Sequence, residues 1–162
     1  KTLGRISMSG KIENKLIELG IELPYAPNPV ANYQPYVISG NLVFLSGQVT
    51  IWNGEMRYQG KIGRDLTVDQ GYDAARMCGL NLIAQVRAAC NGDLDRVKQV
   101  VKLGAFVNCV EDFKEHPNVV NGASDLMAEV FADAGRCTRT NAGVTSLPLG
   151  FAVEIDGVFE IE

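Results

Sequence analysis

Two segments with the apolar period of an α-helix, separated by a segment with the period of a β-strand, constrain the fold most. The first helix is predicted to begin at Thr67, because Thr67-x-x-Gln70 is a capping-box pattern ahead of apolar residues at three- and four-residue steps. It is predicted to end at Gly92, and residues 97–110 then alternate as a strand does. The second helical period ends at Gly135. This alternation predicts a sheet that carries both helices.

Short strands precede and follow this helical half of the chain. Residues 36–56 have the composition of strands joined by turns at 39–41 and 53–54. Two final strands flank a predicted turn at 147–150. The predicted order is therefore two or three strands, a helix, a strand, a helix and two strands. We predict an α+β fold in which a mixed β-sheet has two helices packed on one face.

The N-terminal part of the chain is predicted to add a helix and an extended arm to a single domain that spans 1–162. A short helix is expected from about residue 11 to residue 19, where Gly20 ends it, and a proline-rich arm occupies 23–35. Residues 1–9 are expected to be an expression remnant or a disordered segment.

The predicted sheet has one face that its own helices leave uncovered. The segment LVFLSGQV, residues 42–49, has apolar residues on both faces of a strand, and an open two-layer monomer would expose one of those faces to water. We therefore expect self-association to bury this face.

The charge and the cysteine content of the chain limit which binding partners and which cellular compartment are expected. The net charge is −4 and the fifteen Lys and Arg residues are scattered, so no basic stripe suited to nucleic acid is present. No apolar run approaches the roughly 20 residues that a membrane span requires. The four cysteines lack CxxC spacing. We expect a soluble cytoplasmic protein with reduced cysteines and no nucleic acid or membrane partner.

Several polar residues are better explained by helix capping or solvent exposure than by a catalytic or metal-binding role. His116, the single histidine, stands at a predicted helix start, where capping or solvation explains it. The acidic segment 111–116 lacks the ligand spacing of a metal site, and the Asp65, Asp69 and Asp73 stripe fits the start and solvent face of a helix. No phosphate-binding glycine loop is present. We therefore predict no metal site and no phosphate-binding loop.

Arg139 and Glu154 enclose a run of fourteen residues without charge. A guanidinium is always ionised, and burying it without a partner is costly, so Arg139 requires an anionic partner. One interpretation is an internal ion pair with Glu154, on an adjacent antiparallel strand of the same subunit. The other is an anion pocket in which Arg139 binds the carboxylate of a small molecule.

The pattern R-x-x-x-x-V-x-x-L-P-x-G-x-x-V-E-I, from Arg139 to Ile155, resembles the signature of the Rid family. These are YjgF-type reactive intermediate deaminases, also called L-PSP endoribonucleases. Further similar segments are GNLVFLSGQ at 40–48, GDLDRVKQVVKLGAFVN at 92–108 and VNGASDLMAEVF at 120–131. The resemblance covers about 32–161, and the added N-terminal helix is typical of a longer subgroup.

The resemblance implies a chorismate-mutase-like fold, a homotrimer and active sites in the clefts between subunits. It also implies an enzyme that hydrolyses 2-imino or enamino acids such as 2-aminoacrylate to 2-keto acids and ammonia, without a metal or organic cofactor. By the same resemblance, Arg139 would bind the substrate carboxylate and Glu154 would orient or deprotonate the water. The implied substrate-binding residues that line the cleft are Tyr33 (with Tyr36 as an alternative), Gly47, Asn121, Asn141 and Arg139.

The residues after Arg139 depart from the usual deaminase pattern. Thr140 and Asn141 stand where a small residue and often Cys are found, and Gly143 stands where many deaminases have Glu. Two alternatives to the deaminase therefore remain. The chain could bind keto acids or other small carboxylates without turnover, or it could be a ribonuclease, which the acidic pI near 5.1 disfavours.

Overall fold

A computed structural model describes residues 10–29 and 31–162 of the chain. The predicted disordered or remnant segment 1–9 lies outside these residues. A five-stranded mixed sheet carries two long helices on one face, which confirms the predicted α+β fold.

The two long helices begin and end close to their predicted positions. Helix α2, Val68–Ala89, is capped by Thr67, whose hydroxyl accepts from the Gln70 backbone N–H, and the Gln70 side chain accepts from the Thr67 backbone N–H. This is the predicted capping box. Helix α3, His116–Phe131, has proline in its first turn and is followed by a 3₁₀ turn that ends at Gly135.

The main sheet contains five strands in the order β1-β2-β7-β5-β6. Their bounds are β1 Tyr36–Ser39, β2 Leu42–Gln48, β5 Val97–Asn108, β6 Thr138–Val144 and β7 Val153–Ile161. A separate hairpin consists of β3, Ile51–Trp52, and β4, Glu55–Met56. Strands β5 and β6 pair in parallel, and the other neighbouring strands of this sheet pair antiparallel.

Both turns predicted in 36–56 are present. Gly40 and Asn41 join β1 to β2, and Asn53 and Gly54 join β3 to β4. Asn53 and Gly54 both have positive φ, 48° and 86°, as a type I′ hairpin turn requires.

The final two strands are not neighbours, contrary to the expectation that Arg139 and Glu154 lie on adjacent antiparallel strands. After α3 the chain returns parallel to β5 and forms the edge strand β6. The segment after β6 then crosses to place β7 between β2 and β5. Strand β5 therefore separates β6 from β7.

The core lies between the sheet and the two helices. Leu103, Ala105 and Val107 point into it, which agrees with the strand alternation predicted for residues 97–110. The same alternation would place Val101 on this face, but a register shift between Val100 and Lys102 turns Val100 inward and leaves Val101 partly exposed. A β-bulge of this kind reverses the alternation on one side of it.

The N-terminal helix α1, Lys11–Glu18, packs against the rest of the fold through Leu16, which is buried. Its first N–H groups are capped from a distant part of the chain, because the Asp95 carboxylate accepts from Lys11 N and Ile12 N, both at 2.9 Å. Glu13 also pairs with Arg87 of α2 at 3.5 Å. The predicted extra helix is thus an integral part of this structure.

The other face of the sheet is uncovered in a single chain. Val37, Phe44 and Phe106 are 55%, 46% and 40% exposed on it. We call this surface the open face, and Glu154 and Asp156 also lie on it because they alternate with the buried residues of β7. Within the described residues, no helix is long and apolar enough to cross a membrane.

Candidate functional site

Arg139 is held on β6 by two neutral side chains of α3. Its Nη1 donates to Asn121 Oδ1 at 2.8 Å and to Ser124 Oγ at 3.0 Å. Asn121 and Ser124 are three residues apart and so lie on one side of the helix. We call Arg139, Asn121, Ser124 and the neighbouring Asn141 the arginine half-site.

Close packing of α3 on α2 fixes the position of the arginine half-site. Gly122 lies so near α2 that a Cβ there would overlap the carbonyl oxygen of Tyr72 and would come within 3.0 Å of Arg76 N. The Tyr72 hydroxyl donates to Asp125 Oδ2 at 2.7 Å, which with burial raises the pKa of Tyr72 to about 12. Arg76 also pairs with Glu129 at 3.1 Å. Asn121 therefore sits on a helix that is tightly anchored.

The Arg139 guanidinium has no carboxylate partner within ion-pair distance among residues 10–29 and 31–162. Its two hydrogen-bond acceptors are neutral, so they orient the planar group without compensating its charge. The side chain is half-buried at the edge of the sheet. Within the part of the chain that the structure describes, the other guanidinium N–H groups thus have no acceptor and could bind an anion.

Glu154 lies beside a bulge in β2. The pairing of β2 with β7 shifts by one residue between Leu45 and Gln48, which places Gly47 directly against the Glu154 side chain. A Cβ on Gly47 would lie only 3.0 Å from both Cγ and Cδ of Glu154. Any side chain at position 47 would therefore displace the Glu154 carboxylate, and bulges of this kind are frequent next to active sites.

The environment of Glu154 favours its protonated form more than water does. Burial raises the pKa of the Glu154 carboxyl group, and the nearby negative charge of Asp156 raises it further. A carboxylate with a raised pKa is a better proton acceptor than an ordinary surface glutamate. Glu154 thus has the electrostatics of a general base.

A cleft of about 460 Å³ opens beside Glu154 and Gly47. Most of its walls are apolar, and we call the cleft and its lining the glutamate half-site: Ala31, Tyr33, Ser46, Gly47, Val49, Ile51, Pro148, Leu149, Phe151 and Glu154.

Tyr33, rather than Tyr36, lines the glutamate half-site. The arm is fixed to β2 because the Ser46 hydroxyl donates to the Gln34 carbonyl at 2.6 Å and Ser46 N donates to the Pro35 carbonyl at 3.0 Å. Tyr33 is 44% exposed beside this attachment. Tyr36 instead packs against the hydrophobic core.

The two half-sites cannot meet within one chain. Arg139 pairs with Leu103, a core residue, whereas Glu154 pairs with Phe106, three residues further along β5 and on the open face. Laterally paired residues share a face, so Arg139 and Glu154 lie on opposite faces of the sheet. Strand spacing and rise put their Cα atoms about 14 Å apart. The expected internal ion pair is therefore absent.

Of the predicted site residues, the structure brings Arg139 and Asn121 together in one place, and Tyr33, Gly47 and Glu154 together in another. Asn141 lies two residues after Arg139 on the same face of β6. Ser124 was not predicted, although its three-residue spacing from Asn121 on a helix was a usable signal. Among the described residues, no group of three or more His, Cys, Asp and Glu side chains could hold a metal ion.

Comparison with protein families and curated proteins gives consistent matches. Residues 13–155 match the family described as YjgF/chorismate mutase-like, putative endoribonuclease. The chain is 46% identical to Protein TCP17 of Trypanosoma cruzi over 94% of this chain and 96% of that protein. It is 31% identical to a 2-iminobutanoate/2-iminopropanoate deaminase of Dermatophagoides farinae over 88% of this chain and 95% of that protein.

Two solved structures with similar sequences differ in how closely their folds match this chain. The Agrobacterium tumefaciens protein Atu1372, described as having unknown function, is 46% identical and has a TM-score of 0.87, covering 93% of this chain and 92% of that one. RidA from Psychrobacter is 25% identical and has a TM-score of 0.58, covering 84% and 94%. The chain is thus structurally more similar to Atu1372 than to RidA.

Proposed function

Because this chain belongs to the YjgF/chorismate mutase-like family, we propose that it is a 2-imino or enamino acid deaminase. It would convert a reactive imine such as that of 2-aminoacrylate into a 2-keto acid and ammonia. The similarity to a 2-iminobutanoate/2-iminopropanoate deaminase over most of both chains supports this class of reaction.

The observation that carries the proposal is that the guanidinium of Arg139 has no carboxylate partner among the residues that the structure describes. Asn121 and Ser124 fix the orientation of the guanidinium plane, but both acceptors are neutral and leave its positive charge uncompensated. An anionic ligand would compensate it. A carboxylate matches the guanidinium fork, and a charge-assisted contact of this type contributes about 1.5–3 kcal/mol. The 2-imino acid has such a carboxylate next to its C=N carbon, so binding it at Arg139 also positions the reacting atom.

Glu154 acts as the general base in this proposal. Its carboxylate accepts a proton from water while the water oxygen bonds to the imine carbon. The C=N bond becomes a carbinolamine, the nitrogen takes up protons, and ammonia leaves as the C=O bond forms. No oxidation or reduction occurs, and neither a nucleophilic side chain nor a cofactor is needed. The raised pKa of Glu154 suits this role.

The catalytic site is completed, in this proposal, by a second copy of the chain. The carboxylate and the C=N carbon of the substrate are directly bonded, so Arg139 and Glu154 must lie within one substrate length of each other. They are about 14 Å apart on opposite faces of one sheet, so we assign the arginine half-site to one subunit and the glutamate half-site to its neighbour. A homotrimer built through the open face would also bury Val37, Phe44 and Phe106.

The test is hydrolysis of 2-aminoacrylate generated in solution, followed as pyruvate and ammonia. The wild type is expected to accelerate the reaction above buffer, and Arg139→Ala is expected to lose that acceleration while keeping the wild-type melting temperature. A wild-type rate equal to that of buffer would refute the proposal. Saturable binding of pyruvate without any turnover would instead identify a small-carboxylate binding protein.

A further inference from the structure

A second cleft, of about 610 Å³, lies at the opposite end of β6 from Arg139. It is formed where β5 ends, α3 begins and β6 ends. Its lining includes Cys109, Phe113, His116 and Gly143. Neither the carboxylate clamp nor the water-activating group of the proposed deaminase lies in it.

A thiol and an imidazole are in contact in this second cleft. Cys109 Sγ and His116 Nε2 are 3.6 Å apart, which is within hydrogen-bonding distance for sulfur. The ring of Phe113 packs edge-on against the imidazole, with centroids 5.1 Å apart and an angle of 76° between the planes. This contact holds the imidazole in place, so that its Nε2 faces the sulfur atom.

Gly143 makes the thiol–imidazole contact possible. A Cβ at position 143 would lie 2.6 Å from His116 Nε2 and 2.9 Å from Cys109 Sγ. Any side chain at this position would thus push the two reactive atoms apart or cover them. Without a side chain at position 143, Cys109 and His116 both belong to the lining of the cleft, although Cys109 is only 8% exposed.

The charge next to the thiol is positive. Lys61 Nζ donates to the Cys109 carbonyl at 3.2 Å, and it is fixed there by the Thr145 carbonyl and by Asn108 Oδ1, both at 2.8 Å. Burial raises the pKa of the Cys109 thiol, while the Lys61 ammonium lowers it. The thiol is thus largely protonated at rest and requires a base to react.

We infer that Cys109 and His116 form a nucleophilic thiol–imidazole site for small soft electrophiles of the α,β-unsaturated carbonyl class. His116 Nε2 takes the proton from Sγ as the sulfur electron pair forms a bond to the β-carbon of the electrophile. The C=C electrons move toward the carbonyl, and the α-carbon then takes up the proton from His116. The net reaction is an addition that yields a thioether, with nothing oxidised or reduced.

The experiment uses N-ethylmaleimide as the probe, at less than one equivalent, on the full-length protein. The reaction is stopped with excess thiol, and peptide mass spectrometry gives the labelling rate at each cysteine. Cys137 is the internal control, because it is partly exposed and lies outside the second cleft. We expect Cys109 to label faster than Cys137 in the native protein and at an equal rate in denaturant.

A His116→Gln variant separates base catalysis from simple exposure. General-base catalysis contributes a factor of about 10²–10⁴, so the substitution should slow labelling of Cys109 at least tenfold and leave Cys137 unchanged. His116→Asn serves the same purpose if the glutamine variant does not fold. Faster labelling of Cys137 than of Cys109 in the native wild type overturns the inference, and so does an unchanged Cys109 rate in a folded His116 variant.

Discussion

Replacing Gly47 with alanine adds one methyl group directly against the Glu154 side chain. The backbone at Gly47 does not have positive φ, so alanine is acceptable there on conformational grounds. The added Cβ would overlap Glu154 Oε1 and would lie 3.0 Å from both Cγ and Cδ of Glu154, below the ordinary van der Waals distance. Gly47→Ala is therefore a steric probe of the Glu154 position rather than of the backbone.

The expected loss follows from the size of the displacement. The nearest atom to the added Cβ is Glu154 Oε1, so the carboxylate must move by about 1 Å to restore normal contact. Misplacing a catalytic group by about 1 Å lowers rates by up to about 100-fold. We expect Gly47→Ala to reduce kcat for imine hydrolysis by about 10- to 100-fold. The stability cost should be that of modest overpacking, about 1–3 kcal/mol.

Gly104→Ala is the matched control for this substitution. Gly104 is also a strand glycine of the same sheet without positive φ, and its added Cβ would lie 2.5 Å from Asp156 Oδ1, a carboxylate oxygen on the open face. Both variants thus push on a β7 carboxylate, but only one pushes on Glu154. Imine hydrolysis by Gly47→Ala at the rate of the wild type, or a loss no larger than that of Gly104→Ala, would refute a catalytic role for Glu154.

Three further substitutions test other parts of the account. Arg139→Lys keeps the charge but loses the planar fork, so kcat/KM for imine hydrolysis should fall about 10- to 100-fold; wild-type kinetics would show that no substrate carboxylate meets the guanidinium. Glu154 has a raised pKa in the folded protein, so its ionised form costs stability. Glu154→Gln should therefore melt at a higher temperature than the wild type at pH 7, by roughly 2–4 °C for each kcal/mol gained in the free energy of unfolding. This difference should vanish below about pH 4, where both side chains are neutral. Equal melting temperatures at pH 7 would contradict the prediction. Gly122→Ala should lower the free energy of unfolding by about 3 kcal/mol, because its Cβ would overlap the α2 backbone, and an unchanged urea midpoint would refute that packing.

Periodicity and capping residues predicted the helices and turns because those signals are local. Thr67 and Gln70 fixed the start of α2 within one residue, and Asn53-Gly54 marked a hairpin through the positive φ that both residues adopt. The α+β class followed from the order of these elements.

Strand order has no comparable local signal, and the error over Arg139 and Glu154 arose there. A short connection between two strands favours placing them side by side, whereas β7 inserts between β2 and β5 and leaves β6 at the edge. The contact between Cys109 and His116 was also missed, because it forms only where the end of β5 meets the start of α3. Such contacts depend on tertiary packing rather than on spacing.

The arrangement of the two half-sites can be tested by mixing inactive chains. Arg139→Ala chains retain Glu154, and Glu154→Gln chains retain Arg139, so each is expected to be inactive alone. If every site takes Arg139 from one subunit and Glu154 from the next, random assembly of equal amounts restores about a quarter of the sites. We predict that coexpressed, mixed oligomers recover about a quarter of the wild-type rate of imine hydrolysis. Mixed oligomers no more active than the separate variants would contradict a site shared between subunits.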